Sequence, residues 1–390
     1  MISRNPIRDE IAIIGVGSTG FSRDAGERSS KSLACEASIA AIQDAGLEKG
    51  DIDGIVGPME PGGAIPHQMA SALGISEVTH QSSPMPVALF GLIDAMDAIF
   101  SGACDTVLLY YSYQRLPWNS RSAAKDPFRR HFQMGVIPVP EAPDPAAAYT
   151  QWASRYIHDY GATREDFGRV ALNMRANALR NPLAVMKTPL TMEGYLQARM
   201  IRDPLCMLDM DVPVDGADAF VLTTTERARE ITRNPVVIHA TSLGVVDKND
   251  EDQLPDLSRH GQHVVVDALR AKSDLWIEDC DVFFPYDGFS IITLGWIENF
   301  GWCKPGEAGR FMAEHWDEKA GSVLIDGRVP MNPHGGSLSE GATRGSGHLR
   351  EAVTQLRGDA GKRQVANART AIIGCGGFFF NSQGAILRRL

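Results

Sequence analysis

Residues 51–56 read DIDGIV, and residues 279–284 read DCDVFF. Each segment follows a helical stretch and a short acidic link, and each is apolar enough to form a buried strand. Predicted strands and helices also follow one another in the same order in the two parts of the chain. Such an internal repeat favours two similar α/β halves, each built on a sheet that helices cover.

Hydrophobic periodicity predicts the elements of each half. In the first half, we expect strands at 11–17, 51–57 and 105–113, a helix between Ser29 or Ser30 and Gly46, and a helix at about 87–101. In the second half, we expect strands at 235–244, 279–287 and 368–380, and helices at 263–275 and 348–358. The stretch 112–215 is rich in Arg, Pro, Met and Asn, which predicts an inserted cap. The expected domains are therefore 1–233, including that insertion, and 234–390.

Composition narrows the classes of function. The chain has 390 residues, and its 44% hydrophobic and 22% charged content is typical of a globular protein with a sizeable core. A formal net charge of −10 disfavours broad nucleic-acid binding, because phosphate contacts need a basic face. The first ten residues lack a signal-peptide core, and no apolar run reaches the roughly 18 residues of a membrane helix. The six cysteines show neither a CxxC pair nor zinc spacing, so we expect a cytoplasmic protein with free thiols and no structural metal.

The segment GVGSTG (15–20) matches the GxGxxG pattern of dinucleotide-binding turns. In that motif a helix follows at once and its N-terminus binds the pyrophosphate, whereas FSRDAGERSS follows here. No acidic residue ends a matching second strand either. We therefore expect a tight turn after the first strand rather than an NAD site.

Ser82 and Ser83 precede the helix predicted at 87–101. A hydrolase nucleophile elbow requires GxSxG, which does not surround these serines. Serines before a helix most often cap it, so we expect them to act as caps. The free N–H groups at the same helix end could still stabilise an oxyanion.

Three further motifs carry candidate functional residues. FPYDGF (284–289) ends a predicted strand with Tyr286, which could exchange a proton with a substrate or pack in the core with its hydroxyl bonded. NPHGGSLSEGATRGSG (332–347) combines five glycines with His334, and is either a ligand loop or a loop with a capping glutamate. GCGGFFFNSQG (374–384) places Cys375 on a glycine turn, either at a site or as a small buried apolar residue.

Together these segments resemble the thiolase superfamily and, within it, the lipid-transfer-protein (sterol carrier protein x) branch. AIIGVGSTGFSRDAG (12–26) resembles the family's opening strand, and NPHGG (332–336) resembles the motif before its last catalytic helix. The stretch 181–224, from NPLAVMKTP to AFVLTT, is similar to that branch almost position by position. The resemblance implies an α/β fold of five layers, αβαβα, made of two similar halves.

The catalytic positions depart from the superfamily pattern. Ser82 stands at the place of the nucleophilic cysteine. The motif HDCF or NEAF reads YDGF, with Tyr286 for the His or Asn and Gly288 for the Cys, and Ala342 replaces the histidine of GHP. Thiolase turnover passes through an acyl-enzyme, and a serine without an adjacent base is a poor substitute for a thiolate. We therefore expect ordinary thiolase activity to be lost.

The altered pattern is similar to the thiolase-like aldolases of bacterial steroid side-chain degradation, in which YD stands in the same motif. The resemblance implies retro-aldol cleavage of a β-hydroxyacyl-CoA thioester, a steroid side-chain ester, with no acyl-enzyme and no cofactor of the chain's own. It implies that Tyr286 is the catalytic acid/base, with His334 protonating or orienting. Contacts with the substrate are expected from Ser82, Asn332, Gly335, Gly336, Cys375 and Gly377.

The resemblance has further implications. Relatives often carry a second tyrosine where this chain has Ala342, so His334, Glu340 or Arg344 is expected to take over that role. Asp287 is expected to have a structural role, since a charged carboxylate beside the phenol would raise the pKa of Tyr286. A small partner combining a zinc ribbon with an OB fold is implied, bound to a thiolase-like homodimer to give a heterotetramer.

Two other functions stay open at this point. The chain could be an acyltransferase in which Cys375 or a serine is the nucleophile. It could also be a non-catalytic subunit that keeps the thiolase scaffold for assembly.

Overall fold

The computed structural model describes residues 5–58, 64–114, 145–232, 234–248, 254 and 256–390. Within these residues, nine strands form one sheet in the order β3-β2-β4-β7-β1-β8-β14-β13-β9. The strands of this sheet are β1 (Ile11–Ser22), β2 (Gly54–Val56), β3 (His80–Ser82), β4 (Thr106–Tyr113), β7 (Asp215–Thr224), β8 (Val236–Gly244), β9 (Val282–Pro285), β13 (Thr370–Cys375) and β14 (Ser382–Arg389). Two smaller sheets contain β5 (Met200–Arg202) with β6 (Leu205–Cys206), and β10 (Trp316–Asp317) with β11 (Ser322–Ile325) and β12 (Val329–Pro330).

Helices cover both faces of the main sheet. In chain order, the described α-helices are α1 (Ser30–Asp44), α2 (Pro66–Leu73), α3 (Ala88–Phe100), α4 (Pro145–Tyr160), α5 (Arg164–Ala178), α6 (Met192–Leu196), α7 (Thr225–Ile231), α8 (Gly261–Lys272), α9 (Ser290–Phe300), α10 (Ala308–Glu314) and α11 (Ser346–Arg357). The Ser29 hydroxyl accepts the Ser32 amide and so begins α1, as the sequence predicts. None of the described helices combines the length and the apolar character that crossing a membrane requires.

The strand order repeats on either side of the β1–β8 boundary. The outer pairs β2–β4 and β9–β13 are parallel, whereas the inner pairs β4–β7, β7–β1, β13–β14 and β14–β8 are antiparallel. The internal repeat expected from DIDGIV and DCDVFF is therefore present in the topology. The predicted division between residues 233 and 234 falls between α7 and β8, although residue 233 itself lies outside the described residues.

Alternating residues of β1 face two different hydrophobic cores. Ala12 and Ile14 belong to a core with α1 on one face, and Ile11 and Ile13 belong to a second core that includes α3 and α11. Helices α3 and α11 contact strands of both halves, while α8 packs on β8 and β14 from the outside. The two halves of the nine-stranded sheet therefore form two separate layers. The layer order is helix, half-sheet, helix, half-sheet, helix, and the α/β architecture of five layers is confirmed.

The two halves are joined at a narrow seam. Strands β1 and β8 pair through only two residue positions, Ala12 with Val237 and Ile13 with Val236. Beside the seam, the carboxylate of Asp9 accepts hydrogen bonds from Arg388 at 2.7 and 2.9 Å and lies 3.1 Å from Nδ1 of His239. Burial alone would raise the pKa of Asp9, but the hydrogen bonds and charges of His239 and Arg388 lower it to about 2. The ion pair between Asp9 and Arg388 therefore links the segment before β1 to β14.

The segment GVGSTG is not a turn, so that prediction is wrong. Residues 15–20 lie inside β1, which extends from Ile11 to Ser22 with register shifts between Ile13 and Gly15 and between Ser18 and Phe21. A Cβ at Gly15 would lie 2.2 Å from the carbonyl oxygen of Ala41, and one at Gly17 would lie 2.1 Å from that of Ala37. Both glycines are required because α1 packs directly on the backbone of β1.

The predicted insertion at 112–215 leaves the sheet after β4 and returns to it at β7. Residues 115–144 of this stretch lie outside the described residues. The rest contains α4, α5, α6 and the β5–β6 hairpin. Helix α5 lies against the turn at Gly336–Glu340, so this region helps to build the candidate site.

Candidate active site

Tyr286 directly follows β9, the strand that ends beside β13. Its amide donates to the carbonyl of Gly374 at 2.8 Å, which continues the parallel pairing of the two strands by one residue. The side chain is 8% exposed, so the ring is largely covered but not sealed. A Cβ at Gly288 would lie 2.6 Å from Cε1 of Tyr286 and 3.2 Å from its hydroxyl oxygen. Glycine at 288 therefore makes room for the phenol.

Asp287 is fully buried and fixes the loop that faces Tyr286. Its Oδ1 accepts the Ser337 amide at 2.8 Å, and its Oδ2 accepts the Leu338 amide at 3.0 Å. Oδ1 also lies 3.0 Å from Nε2 of His348. The carboxylate thus holds the π-helical turn Gly336–Glu340 against the end of β9. This arrangement matches the structural role expected for Asp287.

Three rings form a contiguous row at this strand end. The Tyr286 ring lies 5.5 Å from the His348 ring, measured between centroids, at an interplanar angle of 44°. The His348 ring in turn lies 4.7 Å from the His334 ring in an edge-on arrangement. Burial, with the nearby His348, Arg350 and Arg363, lowers the pKa of His334 well below its ordinary value. His334 is therefore neutral at pH 7, with one N–H donor and one acceptor nitrogen.

Several buried polar atoms around this row have no hydrogen-bond partner within the described residues. They are both ring nitrogens of His334, Nδ1 of His348, Oδ1 of Asn332 and Oγ of Ser337. Buried polar atoms in proteins are nearly always bonded, so a cluster of exceptions indicates a place where another molecule supplies the bonds. These atoms are the best candidates in the described structure for contacts with a substrate.

The other predicted residues of this loop are held by protein atoms. Asn332 donates through Nδ2 to the carbonyl of Pro285 at 2.7 Å, which fixes the loop to β9. A Cβ at Gly335 would lie 2.7 Å from Cβ of Ala178, and one at Gly336 would lie 2.1 Å from Oδ2 of Asp287. Packing alone therefore explains both glycines, and their contact with a substrate stays a prediction.

Glu340, one of the groups expected to replace a second tyrosine, is already engaged within the protein. Glu340 accepts from Arg350 at 2.7 Å and from Asn181 at 2.6 Å, within a buried network, and burial raises its pKa. Ala342 is buried and donates its amide to Val212 at 2.8 Å. The Arg344 carbonyl accepts the Ala88 amide at 3.0 Å. The described contacts therefore do not favour a catalytic role for Glu340.

The first half holds a second strand-to-helix turn, between β3 and α3. Ser82 ends β3, and its hydroxyl donates to the Asp94 carboxylate. Helix α3 begins after Val87 with no side-chain cap, so the prediction that Ser82 and Ser83 cap this helix is wrong. The Ala88 amide donates to the Arg344 carbonyl, so it is not a free donor for an oxyanion as predicted.

Cys375 ends β13 and faces the start of α3. The thiol is completely buried, and a Cβ at Gly345 would lie 2.2 Å from its sulfur. Burial raises the pKa of Cys375 to about 12, although the amides of Gly376, Ala88 and Leu89 oppose the shift. The amide of Gly377 donates to Oδ1 of Asn381 at 3.1 Å, so this predicted donor is occupied within the protein.

His348 is the functional candidate that the sequence analysis missed. It is the third residue of α11, is 1% exposed, and contacts residues 286, 287 and 334. One feature of the sequence predicts that His348 is buried. It lies four residues before Ala352 and eight before Leu356, so the three residues share one face of the helix. Within the described residues, no group of three or more His, Cys, Asp or Glu side chains is placed to hold a metal ion.

Comparison with known proteins places this site in a family. Residues 245–389 match the family described as Thiolase C-terminal domain-like. A steroid side-chain-cleaving aldolase of Thermomonospora curvata is 34% identical over 89% of this chain and 90% of its own length. A 17-hydroxy-3-oxo-4-pregnene-20-carboxyl-CoA lyase of Mycobacterium tuberculosis is 34% identical over 90% of this chain and 92% of its own.

A solved structure agrees with the sequence comparisons. The chain in the structure described as the Ltp2-ChsH2(DUF35) aldolase superposes with a TM-score of 0.84 and 32% identity, covering 98% of each chain. The chain belongs to the thiolase superfamily, in its branch of thiolase-like aldolases. The resemblance seen in the sequence is confirmed.

Proposed function

We propose that this chain cleaves the Cα–Cβ bond of a β-hydroxyacyl-CoA thioester by a retro-aldol reaction, without forming an acyl-enzyme. The observation that carries this proposal is the row of rings Tyr286, His348 and His334, in which the Tyr286 ring folds over Gly288 and both histidines carry buried nitrogens without a partner within the described residues. A phenol is a suitable acid/base group, and this reaction needs a base but no nucleophile.

In the proposed reaction, the oxygen of Tyr286 removes the proton of the β-hydroxyl. The Cβ–O bond becomes a carbonyl while the Cα–Cβ electron pair moves into the enolate of the thioester. The N–H of neutral His334 is the candidate donor to the enolate oxygen, where developing charge needs stabilisation. Protonation of Cα then releases an acyl-CoA and a ketone or aldehyde.

The names of the relatives suggest the substrate class. The relative from Thermomonospora curvata is named for cleaving steroid side chains, and the mycobacterial relative is named as a lyase of a steroid carboxyl-CoA ester. We infer that the substrate here is a steroid side-chain CoA ester that carries a β-hydroxyl. No cofactor of the chain's own is required by this chemistry.

The solved structural neighbour suggests a partner, because its description pairs Ltp2 with a DUF35 protein. We infer that this chain assembles as a homodimer with a small partner that combines a zinc ribbon with an OB fold. The resulting heterotetramer would act in the cytoplasm. Within this chain, residues 1–233 and 234–390 would form the two thiolase-like halves.

The acyltransferase alternative has less support. A nucleophile must be exposed and ionised or activated by a base, whereas the Cys375 thiol is buried with its pKa raised to about 12. Ser82 bonds to a carboxylate rather than to a histidine.

The decisive experiment compares Tyr286→Phe with Tyr160→Phe, a variant of an exposed tyrosine on α4. Each protein is produced with the partner and assayed on 17-hydroxy-3-oxo-4-pregnene-20-carboxyl-CoA. Loss of an acid/base group costs about 10²- to 10⁴-fold in rate, so Tyr286→Phe should lose cleavage while the control keeps it. Full activity in a folded Tyr286→Phe variant would exclude the proposed mechanism.

A further inference from the structure

His348 stands between the proposed base and a buried carboxylate. On one side its ring contacts the ring of Tyr286, with 5.5 Å between centroids. On the other side its Nε2 lies 3.0 Å from Oδ1 of Asp287. The imidazole is 1% exposed, so bulk water does not replace either contact.

The hydrogen bonds of Asp287 assign the tautomer of His348. Asp287 already accepts the amides of Ser337 and Leu338, and an ionised carboxylate can only accept hydrogen bonds. Nε2 of His348 must therefore be the protonated nitrogen. In the neutral ring Nδ1 then carries the lone pair, and it has no hydrogen-bond partner within the described residues.

We propose that His348, oriented by Asp287, is a positioning residue that accepts the phenolic proton of Tyr286 on Nδ1 during bond cleavage. This inference rests on the proposed retro-aldol function. The β-hydroxyl proton moves to the oxygen of Tyr286 as the phenol's own proton moves to Nδ1. The Cα–Cβ electron pair moves into the enolate, and the imidazolium later returns one proton through Tyr286 to Cα. Protons and electrons balance over the cycle without a further reactant.

His348 fits this role better than the other candidates near the phenol. Within the part of the chain that the structure describes, His334 has no carboxylate partner to fix its tautomer, and His348 lies between it and Tyr286 in the row of rings. Glu340 is bonded to Arg350 and Asn181. The Asp287 carboxylate would also stabilise the imidazolium that forms, much as a buried carboxylate does in a catalytic triad.

The role predicts a specific dependence on pH. His348 accepts the phenolic proton only through the lone pair of Nδ1, so a side chain without that nitrogen leaves the phenol with no such acceptor. Among the described residues, the titratable groups in contact with His348 are Tyr286 and Asp287 after β9 and His334 in the loop. Raising the pH favours loss of the phenolic proton to bases in the solvent, so the variant should gain more from a high pH than the wild type does.

The first test measures kcat/KM from pH 6 to pH 10.5 for wild type, His348→Gln and the exposed-surface control His67→Gln, with the partner present and the same steroid CoA ester. We expect His348→Gln to lose about 10²-fold at pH 7 and to recover to within about threefold above pH 10. A purely structural role would lower the rate by the same factor at every pH, and that result would overturn the inference.

The second test does not depend on activity and therefore separates this inference from the proposed function. Histidine labelled with ¹⁵N reports by NMR which ring nitrogen of His348 carries the proton. We expect an unprotonated Nδ1 whose resonance shifts in Tyr286→Phe. A protonated Nδ1 at neutral pH, or no shift in Tyr286→Phe, would overturn the inference. Failure of the wild type to cleave the ester would instead count against the proposed function.

Discussion

The turn after β3 and the turn after β9 differ in what occupies them. At the first, Ser82 bonds to Asp94 and the Cys375 thiol fills the space at the start of α3. At the second, the phenol of Tyr286 lies beside polar atoms that have no partner within the described residues. The difference supports the proposal that catalysis depends on the turn of the second half, although the superfamily resemblance places the thiol nucleophile in the first.

Asp287→Asn should have the largest effect on stability, because it disrupts the second turn. An amide cannot accept both backbone N–H groups and the His348 ring as a carboxylate does, so buried donors lose their acceptor. We expect the free energy of unfolding to fall by about 3 kcal/mol, measured by urea denaturation.

The matched control is Asp267→Asn, which removes an exposed ion pair with Arg259. Such pairs contribute at most about 1 kcal/mol. Equal small losses in the two variants would mean that Asp287 does not anchor the loop.

Gly288→Ala should reduce activity more than stability. The new methyl group would lie 2.6 Å from the Tyr286 ring, so the phenol must move. A displacement of about 1 Å in a catalytic group costs on the order of 10²-fold in kcat/KM. Gly50→Ala is the control, because no heavy atom lies within 4 Å of its added Cβ. Unchanged turnover in Gly288→Ala would show that the position of the ring is not critical.

Asp9→Asn tests the seam between the halves, and its expected effect is smaller. The pKa of Asp9 is lowered to about 2 in the folded protein, so its stabilisation is present above pH 4 and is lost as the pH falls toward 2. The carboxylate is partly exposed, so we expect a loss of only about 1 kcal/mol at pH 7. The wild-type and variant unfolding energies should converge as the pH falls below 4. A difference that stays constant over this range would assign the effect to packing.

The smallest expected effect is at the first turn, where incubation with acetyl-CoA should leave no covalent adduct. At pH 8 a thiol with a pKa of about 12 is almost entirely protonated, so Cys375 should not react with acetyl-CoA. Intact mass measurement of the folded protein should show no added acetyl group. An acetyl group mapped to Cys375 or Ser82 would place a nucleophile at the turn after β3, against the proposed mechanism.

Local patterns in the sequence predicted most of the elements. The helix expected at about 87–101 is Ala88–Phe100, and the strand expected at 235–244 is Val236–Gly244. Both follow from periodicity and from the residues that end each element. The strand expected at 368–380 ends earlier, at Cys375, because Gly376 adopts a positive φ of 77°.

The site was only partly predictable because its contacts are distant in sequence. Tyr286 could be found from its motif, since it directly follows a strand. The bond between Asp287 and His348 joins residues 61 positions apart, and no local pattern encodes such a pair. The prediction for GVGSTG was wrong because the atoms that require Gly15 and Gly17 belong to α1, 20 or more residues away.

The close approach of the Tyr286 ring to Gly288 couples two positions in evolution. In the superfamily motif that YDGF resembles, HDCF or NEAF, the second of these positions carries a cysteine or an alanine, and any side chain there would overlap the phenol. Neither residue can revert singly without damage, since a thiol at 288 displaces the ring and an imidazole at 286 removes the phenol. The two positions are therefore epistatic, because a side chain at 288 is compatible with this site only when the ring at 286 changes as well.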